Sequence, residues 1–285
     1  MEGNGNDRWL IATNALVAAG LPFPQALALT SKIRDIYPRL QNNRLPTRVA
    51  AVVADTLSPA TAQRYRFWHQ VYAERLPILI HIMGVTGVGK TDIASALSKR
   101  LVYSHYVQTD MLRDILRAFF PESRSPALHV PSYRAWEVTS PRHNDRGTVV
   151  RGYLRQCRTL DRALSAISSW TAKTGKVVII EGIDIGPDYI ADLRRSDVPN
   201  AFSFLVAAEN EALHWRYLEH RWRTHPKPPV PIEVYRRYYS EIRYIQDFLI
   251  GEADKLGIPI LANSDVERVV REILTHIEHR INADV

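Results

Sequence analysis

Residues 78–101, ILIHIMGVTGVGKTDIASALSKRL, contain the pattern that decides the fold. An apolar run leads to Gly84, a glycine-rich bend follows, and Lys90 and Thr91 open a helical pattern. The bend matches G-x-x-x-x-G-K-[ST] at every fixed position. Glycines let the backbone curl so that successive N–H groups point into one concavity, and the next helix directs its positive dipole end there. The stretch therefore predicts a phosphate-binding loop between a strand and a helix.

This loop predicts bound ATP and Mg²⁺. Its nucleotide-binding residues are expected to be Gly84, Thr86, Gly87, Val88, Gly89, Lys90 and Thr91. Lys90 can reach the β- and γ-phosphates, and the Thr91 hydroxyl can ligate Mg²⁺. A glycine-rich turn without a ligand is the alternative. The β-type run before the loop and the helical pattern after it argue against that alternative.

The composition limits the classes of protein that fit. Of the 285 residues, 46% are hydrophobic, which is enough for a substantial core, and the formal net charge is +7. A basic balance is compatible with nucleic acid, an acidic membrane surface or anionic small molecules. No window holds about 18 consecutive apolar residues, which argues against a membrane-spanning helix. Because Cys157 is the only cysteine and no secretory pattern is present, we expect no disulfide and a cytoplasmic location.

The hydrophobic pattern divides the chain into two parts. Residues 1–75 are predicted to form a small all-helical module without a catalytic cluster. From residue 76 to 285, short apolar runs alternate with amphipathic helical patterns, which implies a parallel sheet covered by helices on both faces. The strands are expected at 78–83, 103–108, 176–181, 201–207 and 258–262.

Two carboxylates at predicted strand ends are candidates for catalysis. Glu181 ends an apolar run, VVIIEG, where it can hold Mg²⁺ together with Thr91 or act as a base. Asp110 follows the second strand, and Arg113 lies on the same helix face. Since a general base must lie across from the γ-phosphate, Asp110 is predicted to accept the acceptor's proton and Arg113 to hold its anion. A strand-end acid without a role and a plain helix cap are the structural alternatives, and the sequence leaves open which carboxylate is the base.

Basic residues follow the fourth strand. Arg216, Arg221 and Arg223 lie on or just after a helix that leads into a proline-rich loop, so residues 216–231 are predicted to form a lid. Closure would bring guanidinium groups, Arg221 above all, onto the transferring phosphoryl group. A solvent-exposed basic helix is the alternative for each arginine. Asn263 follows the last strand, where a loop can border the adenine.

Six segments of the chain together resemble the archaeal 2-phosphoglycerate kinase family. They are GVTGVGKTDIASALSKRL, TDMLRDILR, SYRAW, GYLRQ, IIEGIDIGP and YYSEIRYIQDFLI, spread over residues 75–282. The resemblance implies a nucleoside-monophosphate-kinase-like P-loop domain, with a five-stranded sheet in the order 2-3-1-4-5 and the phosphate-binding loop on the central strand. It also implies that residues 1–75 are a shortened ATP-cone-like module.

The same resemblance implies transfer of the γ-phosphoryl group of ATP to the 3-hydroxyl of 2-phosphoglycerate. Tyr133 in SYRAW is compatible with the core or with the acceptor pocket. Arg155 in GYLRQ is a candidate grip for a carboxylate or phosphate. Asp184 stands where the family tends to carry histidine, near the expected acceptor pocket. An acidic residue close to a trianionic acceptor is unfavourable, so the acceptor's identity stays open.

Other functions also fit parts of the sequence. A kinase of a natural product or a sugar-like metabolite would need the same chemistry. An RNA-end kinase or nucleic-acid-binding ATPase is suggested by the basic charge and by two aromatic-basic runs, QRYRFWHQVY and RRYYSEIRY. The aromatics of both runs recur at helical spacing, which favours packing over base stacking. A regulatory nucleotide-binding protein is a third class. We expect a small-molecule acceptor and no membrane, and the sequence does not indicate an oligomeric state.

Overall fold

The computed structural model of the chain describes residues 7–139, 145–196, 198–224, 226 and 230–283. Its parallel sheet consists of β1 (Ile78–Met83), β2 (His105–Gln108), β3 (Val177–Gly182), β4 (Ala201–Ala207) and β5 (Ile260–Ala262). The strand order is β2-β3-β1-β4-β5. This order confirms the predicted α/β P-loop architecture, with β1 in the centre.

Helices connect the strands and precede them. In chain order they are α1 (Asp7–Ala18), α2 (Phe23–Ile36), α3 (Leu45–Thr56), α4 (Pro59–Glu74), α5 (Lys90–Arg100), α6 (Thr109–Phe119), α7 (Ala135–Thr139), α8 (Arg146–Thr174), α9 (Pro187–Arg194), α10 (Glu211–Thr224), α11 (Ile232–Arg237), α12 (Tyr239–Lys255) and α13 (Val266–Ala283). Helices α5 and α13 pack together, and α8 packs with α9 and α12. The two groups form the layers around the sheet.

The central strands bring the loops of the functional site side by side. Every residue of β1 and β3 is buried, as expected for apolar strands covered on both faces. At their carboxyl ends, Met83 pairs with Gly182 on one side and with Leu205 on the other. The segments that follow β1, β3 and β4 therefore leave the sheet at neighbouring positions.

Three predicted strands have other bounds in the structure: besides the second strand, residues 176–181 become 177–182 and residues 258–262 become 260–262. The second strand begins at residue 105 rather than 103, because Tyr103 adopts a positive φ of 75° that ends the preceding turn. Helices α11 and α12 are separated at Tyr238, whose φ of −106° and ψ of 19° leave the helical range. The irregular segment after α6 contains two short 3₁₀ turns, and the Gln156 side chain on α8 donates hydrogen bonds to two of its carbonyls.

Helices α1 to α4 form the predicted N-terminal helical bundle. Ser58 caps α4 by accepting a hydrogen bond from the Thr61 amide at 3.1 Å, and Pro59 occupies the first turn. Tyr65 and Trp68 of the first aromatic-basic run are completely buried in this bundle. These rings pack in the core, as the helical spacing predicted, and are not available for stacking on nucleic-acid bases.

A partly buried ion pair joins the bundle to the last helix. Arg64 Nε on α4 lies 3.0 Å from Glu278 Oε1 on α13, and Trp68 Nε1 donates to the same oxygen at 2.7 Å. The two parts also share one continuous hydrophobic core. The division of the chain near residue 75 into a module and a kinase domain stays a prediction. No helix in the described part of the chain has the length and apolar character needed to cross a membrane.

Candidate active site

A cavity of about 180 Å³ opens at the carboxyl ends of β1 and β3. The structure brings eight of the predicted site residues to it: Thr86, Lys90, Thr91, Asp110, Arg113, Tyr133, Glu181 and Arg221. They come from five separate segments of the chain. Convergence of cationic and anionic side chains at the end of a parallel sheet is typical of a ligand site.

The phosphate-binding loop adopts a backbone that only glycine accommodates at two of its positions. Gly84 has a φ of 143°, and a Cβ there would lie 2.3 Å from the Val206 carbonyl oxygen. Gly89 has a φ of 84°, and a Cβ there would lie 1.8 Å from Asn263 Nδ2. Larger residues would clash at both positions. The loop then runs directly into α5, so the amino end of that helix faces the cavity.

Lys90 lies in the cavity wall and is only 7% exposed. Its Nζ donates a hydrogen bond to the Val85 carbonyl at 2.9 Å. Burial lowers the pKa of Lys90, and the Glu181 carboxylate opposes this shift. A phosphate group that enters the loop would offer the ammonium group an anionic partner in exchange for this carbonyl.

Glu181 is held by three hydrogen-bond donors. Its Oε1 accepts from Thr91 Oγ1 at 3.1 Å, from Gln108 Nε2 at 3.1 Å and from the Tyr106 hydroxyl at 3.3 Å. Burial, followed by the Glu181 charge, raises the pKa of Tyr106 to about 12, so its hydroxyl stays a donor. Glu181 itself is 5% exposed. The carboxylate is thus fixed in one orientation beside Thr91.

The oxygens of Thr91 and Glu181 fit the hard ligands that Mg²⁺ prefers. In the described part of the chain, no group of three or more His, Cys, Asp or Glu side chains is arranged to hold a metal ion. Mg²⁺ in nucleotide sites commonly uses one or two protein oxygens and completes its shell with phosphates and water. The pair therefore matches a magnesium site that depends on a bound nucleotide.

Two ion pairs share Arg113 and lead from the open side of the site into the protein interior: one is made with Asp110 and the other with Asp184. Arg113 Nη2 lies 2.8 Å from Asp110 Oδ1, and Arg113 Nη1 lies 3.5 Å from Asp184 Oδ2. The Asp110 side chain is 72% exposed, Arg113 is 12% exposed and Asp184 is fully buried. Asp110 therefore points toward the open side of the site, while Arg113 is tethered from behind.

Asp184 was predicted to lie near the acceptor pocket, and the structure places it just behind the cavity wall. Its side chain does not line the cavity but lies behind Arg113. Burial raises the pKa of Asp184, and the Arg113 charge opposes that shift. The residue lies two positions beyond the end of β3, where the chain turns back under the site toward α9. Asp184 is thus in place to orient Arg113 rather than to contact a ligand.

Aromatic side chains close one wall of the cavity. Tyr133 and Tyr235 both line it, with ring centroids 6.3 Å apart, and both are less than a tenth exposed. Burial raises the pKa of Tyr133 to about 12. Tyr238 packs on the other side of Tyr133 at 5.6 Å and donates to Glu137 Oε1 at 2.6 Å. Tyr235 was missed by the sequence analysis.

Only one of the three predicted lid arginines reaches the site. Arg221 lines the cavity from the end of α10. Arg216 is exposed on another face of that helix, and Arg223 pairs with Glu219 at 2.9 Å. Helical spacing explains this difference, because Arg223, two positions from Arg221, and Arg216, five positions from it, lie about 160° and about 140° away around the helix. The proline-rich part of the predicted lid at 225 and 227–229 lies outside the described residues.

Two further predicted residues lie away from the cavity. Arg155 is exposed on α8, whose buried face carries Gly152, Tyr153 and Gln156 instead. The motif GYLRQ therefore contributes packing at this point rather than a ligand contact. Asn263 lies outside the phosphate-binding loop, and its Nδ2 donates to the Val88 carbonyl at 3.3 Å.

The sequence contained a signal for one group of missed residues. Tyr106 and Gln108 alternate on β2 and so share a face of the sheet. Gln108 pairs in register with Glu181 on β3. The predicted strand order placed these strands together, but the register that aligns their side chains was not assigned.

Comparison with known proteins gives a consistent set of relatives. No family model matches the chain. A protein named 2-phosphoglycerate kinase from Pyrococcus horikoshii is 30% identical over 217 residues, which cover 76% of this chain and 69% of the relative. Another of that name from Methanopyrus kandleri is 28% identical over 276 residues, covering 95% and 83%. Among solved structures, a gluconokinase from Sinorhizobium meliloti aligns with a TM-score of 0.39 and 16% identity over 74% of this chain and 96% of its own.

Proposed function

The chain belongs to the 2-phosphoglycerate kinase family, and from that premise we propose that it transfers the γ-phosphoryl group of ATP to a hydroxyl of a small anionic metabolite. It is a phosphotransferase related to kinases over most of its length. The observation that carries the proposal is that a phosphate-binding lysine and an Asp–Arg pair line the same cavity. The lysine suits the nucleotide and the Asp–Arg pair suits the acceptor.

At the nucleotide end, the loop amides and Lys90 bind the β- and γ-phosphates. Thr91 and Glu181 provide oxygens for Mg²⁺, which when bound neutralises phosphate charge and helps to align the leaving group. Tyr106 and Gln108 keep Glu181 turned toward this position. The Glu181 carboxylate therefore has this orientation before the nucleotide binds.

Asp110 is the better candidate for the base. Glu181 is buried and receives three hydrogen bonds on one oxygen, whereas Asp110 is mostly exposed at the open end. The acceptor hydroxyl gives its proton to Asp110 while its oxygen forms a bond to the γ-phosphorus. The bond from that phosphorus to the β–γ bridging oxygen breaks, and ADP leaves with those electrons. Arg221 lies where it can stabilise charge on the transferring group.

The acceptor end combines one guanidinium group with two carboxylates. Arg113 offers a guanidinium group and the two wall tyrosines offer polar groups. However, Arg113 is shared with two carboxylates, which lowers the positive potential that an acceptor meets. The first candidate acceptor is 2-phosphoglycerate, as in the named relatives. A less charged hydroxy acid is the second candidate because of these carboxylates.

A cytoplasmic location is proposed from the family assignment and from the single cysteine. A metabolite kinase whose single cysteine, Cys157, is buried and reduced fits the reducing cytoplasm. We do not assign a nucleic-acid partner, because the first aromatic-basic run is largely packed in the helical bundle.

An acceptor screen tests the proposal. Purified protein with ATP and Mg²⁺ would be incubated with 2-phosphoglycerate, with glycerate and with RNA carrying a free 5′-hydroxyl. ADP release and the mass of the product would be measured for each. We expect a gain of one phosphoryl group on a small acid. ADP release that is independent of every acceptor, or labelling of RNA alone, would contradict the proposal.

A further inference from the structure

Two side chains from outside the phosphate-binding loop hold its carbonyl groups. His214 on α10 is completely buried, and its Nε2 donates to the Thr86 carbonyl at 2.8 Å. Asn263, after β5, donates from Nδ2 to the Val88 carbonyl at 3.3 Å. The two carbonyls are two residues apart and are approached from different elements of the fold.

These contacts fix the direction of the loop amides. In a trans peptide the C=O and N–H groups lie in one plane and point in opposite directions. When His214 holds the Thr86 carbonyl, the Gly87 N–H must point away from α10. When Asn263 holds the Val88 carbonyl, the Gly89 N–H is fixed in the same manner. Glycine peptides rotate easily, so without these contacts both amides would sample other directions.

We infer that His214 and Asn263 are positioning residues that preset the phosphate-binding amides of Gly87 and Gly89. Neither side chain lines the cavity, so both act through the loop. The inference deepens the proposed function and rests on it, since it takes the triphosphate of ATP as the ligand of this loop. Preset donors bind a charged group more tightly because no reorganisation is needed on binding.

His214 is held in the tautomer that can donate from Nε2 to the Thr86 carbonyl. Arg243 Nη1 on α12 donates to His214 Nδ1 at 3.4 Å, which leaves the proton on Nε2. Arg243 is 13% exposed and also lies 3.7 Å from Asp247. Burial, together with the nearby charges of Arg243 and Lys90, lowers the pKa of His214 to about 4, while the Thr86 contact opposes the shift. The imidazole therefore stays neutral at physiological pH.

The same helix face connects the loop to the catalytic arginine. Leu218 lies one turn after His214, and a Cβ at Gly87 would approach its side chain to 2.5 Å. Arg221 follows on that face and lines the cavity. The first turns of α10 are thus fastened to the phosphate-binding loop, and only its far end is free to act as a lid. A loop that shifts on losing His214 would also shift the base from which Arg221 extends.

Steady-state kinetics and phosphate binding test this inference. We expect His214→Ala to raise KM for ATP and Kd for inorganic tripolyphosphate about ten-fold, the loss of one well-placed hydrogen bond. KM for the acceptor should stay within about two-fold. His214→Gln retains an N–H donor and should recover most of the affinity. Asn263→Ala, at a half-buried site, should raise the same two constants without risk to the core.

His279→Ala is the matched control, since His279 is an exposed histidine on α13 and does not line the cavity. It should leave both constants unchanged. Folded His214→Ala and Asn263→Ala proteins with wild-type KM for ATP would overturn the inference. So would a His214→Gln variant no better than His214→Ala. Failure of the wild-type protein to bind ATP or tripolyphosphate would instead refute the proposed function, so the two failures are distinguishable.

Discussion

The two ends of the cavity are built on different principles. At the nucleotide end, Lys90, Thr91 and Glu181 all have hydrogen-bond partners, and side chains from α10 and the segment after β5 support the loop from outside. At the acceptor end, Arg113 Nε and Asp184 Oδ1 are buried and lack a partner in the described part of the chain. Buried polar atoms without partners are rare and costly. The nucleotide end is therefore complete before binding, whereas Arg113 at the acceptor end keeps an unused donor that a ligand or water would satisfy.

The difference explains why one end could be identified from a motif. Phosphates are recognised by backbone amides, whose direction depends on glycine spacing, so GVTGVGKT predicted that end directly. The proposed acceptor site is formed by side chains from α6, the segment before α7, and α11, whose meeting depends on the tertiary fold. Predictions about the two ends therefore differ in the size and kind of the expected effect.

The largest effect is expected at the nucleotide end. Lys90→Ala should abolish turnover, at a cost of several kcal/mol of transition-state stabilisation, because no other cation lies within the loop. Lys99→Ala, near the exposed end of the same helix, is the control and should behave as wild type. Initial rates at saturating ATP measure the difference. A Lys90→Ala variant with wild-type rates would remove this lysine from the mechanism.

The second-largest effect distinguishes the role of Asp110 from that of Glu181. Asp110→Asn should lower kcat by about 10²- to 10³-fold, the range for a general base, with KM for ATP kept. Glu181→Gln should instead raise the Mg²⁺ concentration needed for half-maximal rate, since its place is beside Thr91. Asp114→Asn, one turn along α6 from Asp110, serves as the control. If Asp110→Asn keeps full kcat, the base lies at the other end of the cavity.

The pH dependence of the free energy of unfolding tests the protonation of two buried histidines, one of which, His214, supports the nucleotide end. Burial lowers the pKa of His81 in β1 to about 3, and that of His214 to about 4. The unfolded chain binds protons at these positions below about pH 6.5, whereas the folded chain does not. The free energy of unfolding should therefore fall as pH decreases below 6.5, by about 1.4 kcal/mol per unit for each histidine, and these groups contribute no slope above it.

Urea unfolding between pH 7.5 and 5.0 measures this slope. His214→Gln removes one of the two groups and should reduce the slope in the acid range by about 1.4 kcal/mol per unit. The difference between variant and wild type cancels the titration of all other groups. Equal slopes in the two proteins would show that His214 is already protonated in the fold, contrary to its contact with Arg243.

The smallest effect is expected from the buried acid at the acceptor end. Asp184→Asn keeps the shape of the side chain but removes a negative charge 3.5 Å from Arg113. We expect KM for an anionic acceptor to fall about three- to ten-fold, with KM for ATP changed less. The comparison is made with a phosphorylated and a non-phosphorylated acid. An unchanged KM for both would show that Asp184 is neutral in the free protein or does not act through Arg113.

The sequence predicted elements more successfully than side-chain directions. The apolar runs that alternate with helices predicted a parallel sheet, the family resemblance implied its strand order, and the structure has that order. The burial of Asp184 could not be predicted, because it depends on the path of the chain between β3 and α9. Arg155 belonged to a matched motif, yet it lies on the exposed face of α8 because the neighbouring positions pack inward. His214 carried no local signal, since its partner Thr86 is 128 residues away.

The junction between α4 and α13 sets a condition on how this protein can be shortened. Glu278 is 7% exposed, and its carboxylate is bound by two groups of the bundle: Arg64 supplies the opposite charge and Trp68 donates a hydrogen bond. Removal of the bundle would take away both partners of Glu278 and uncover apolar surface of the core that the two parts share. The affected helix packs against α5, whose first residue is Lys90. A shortened protein would therefore need polar side chains on the uncovered surface to stay monomeric in water.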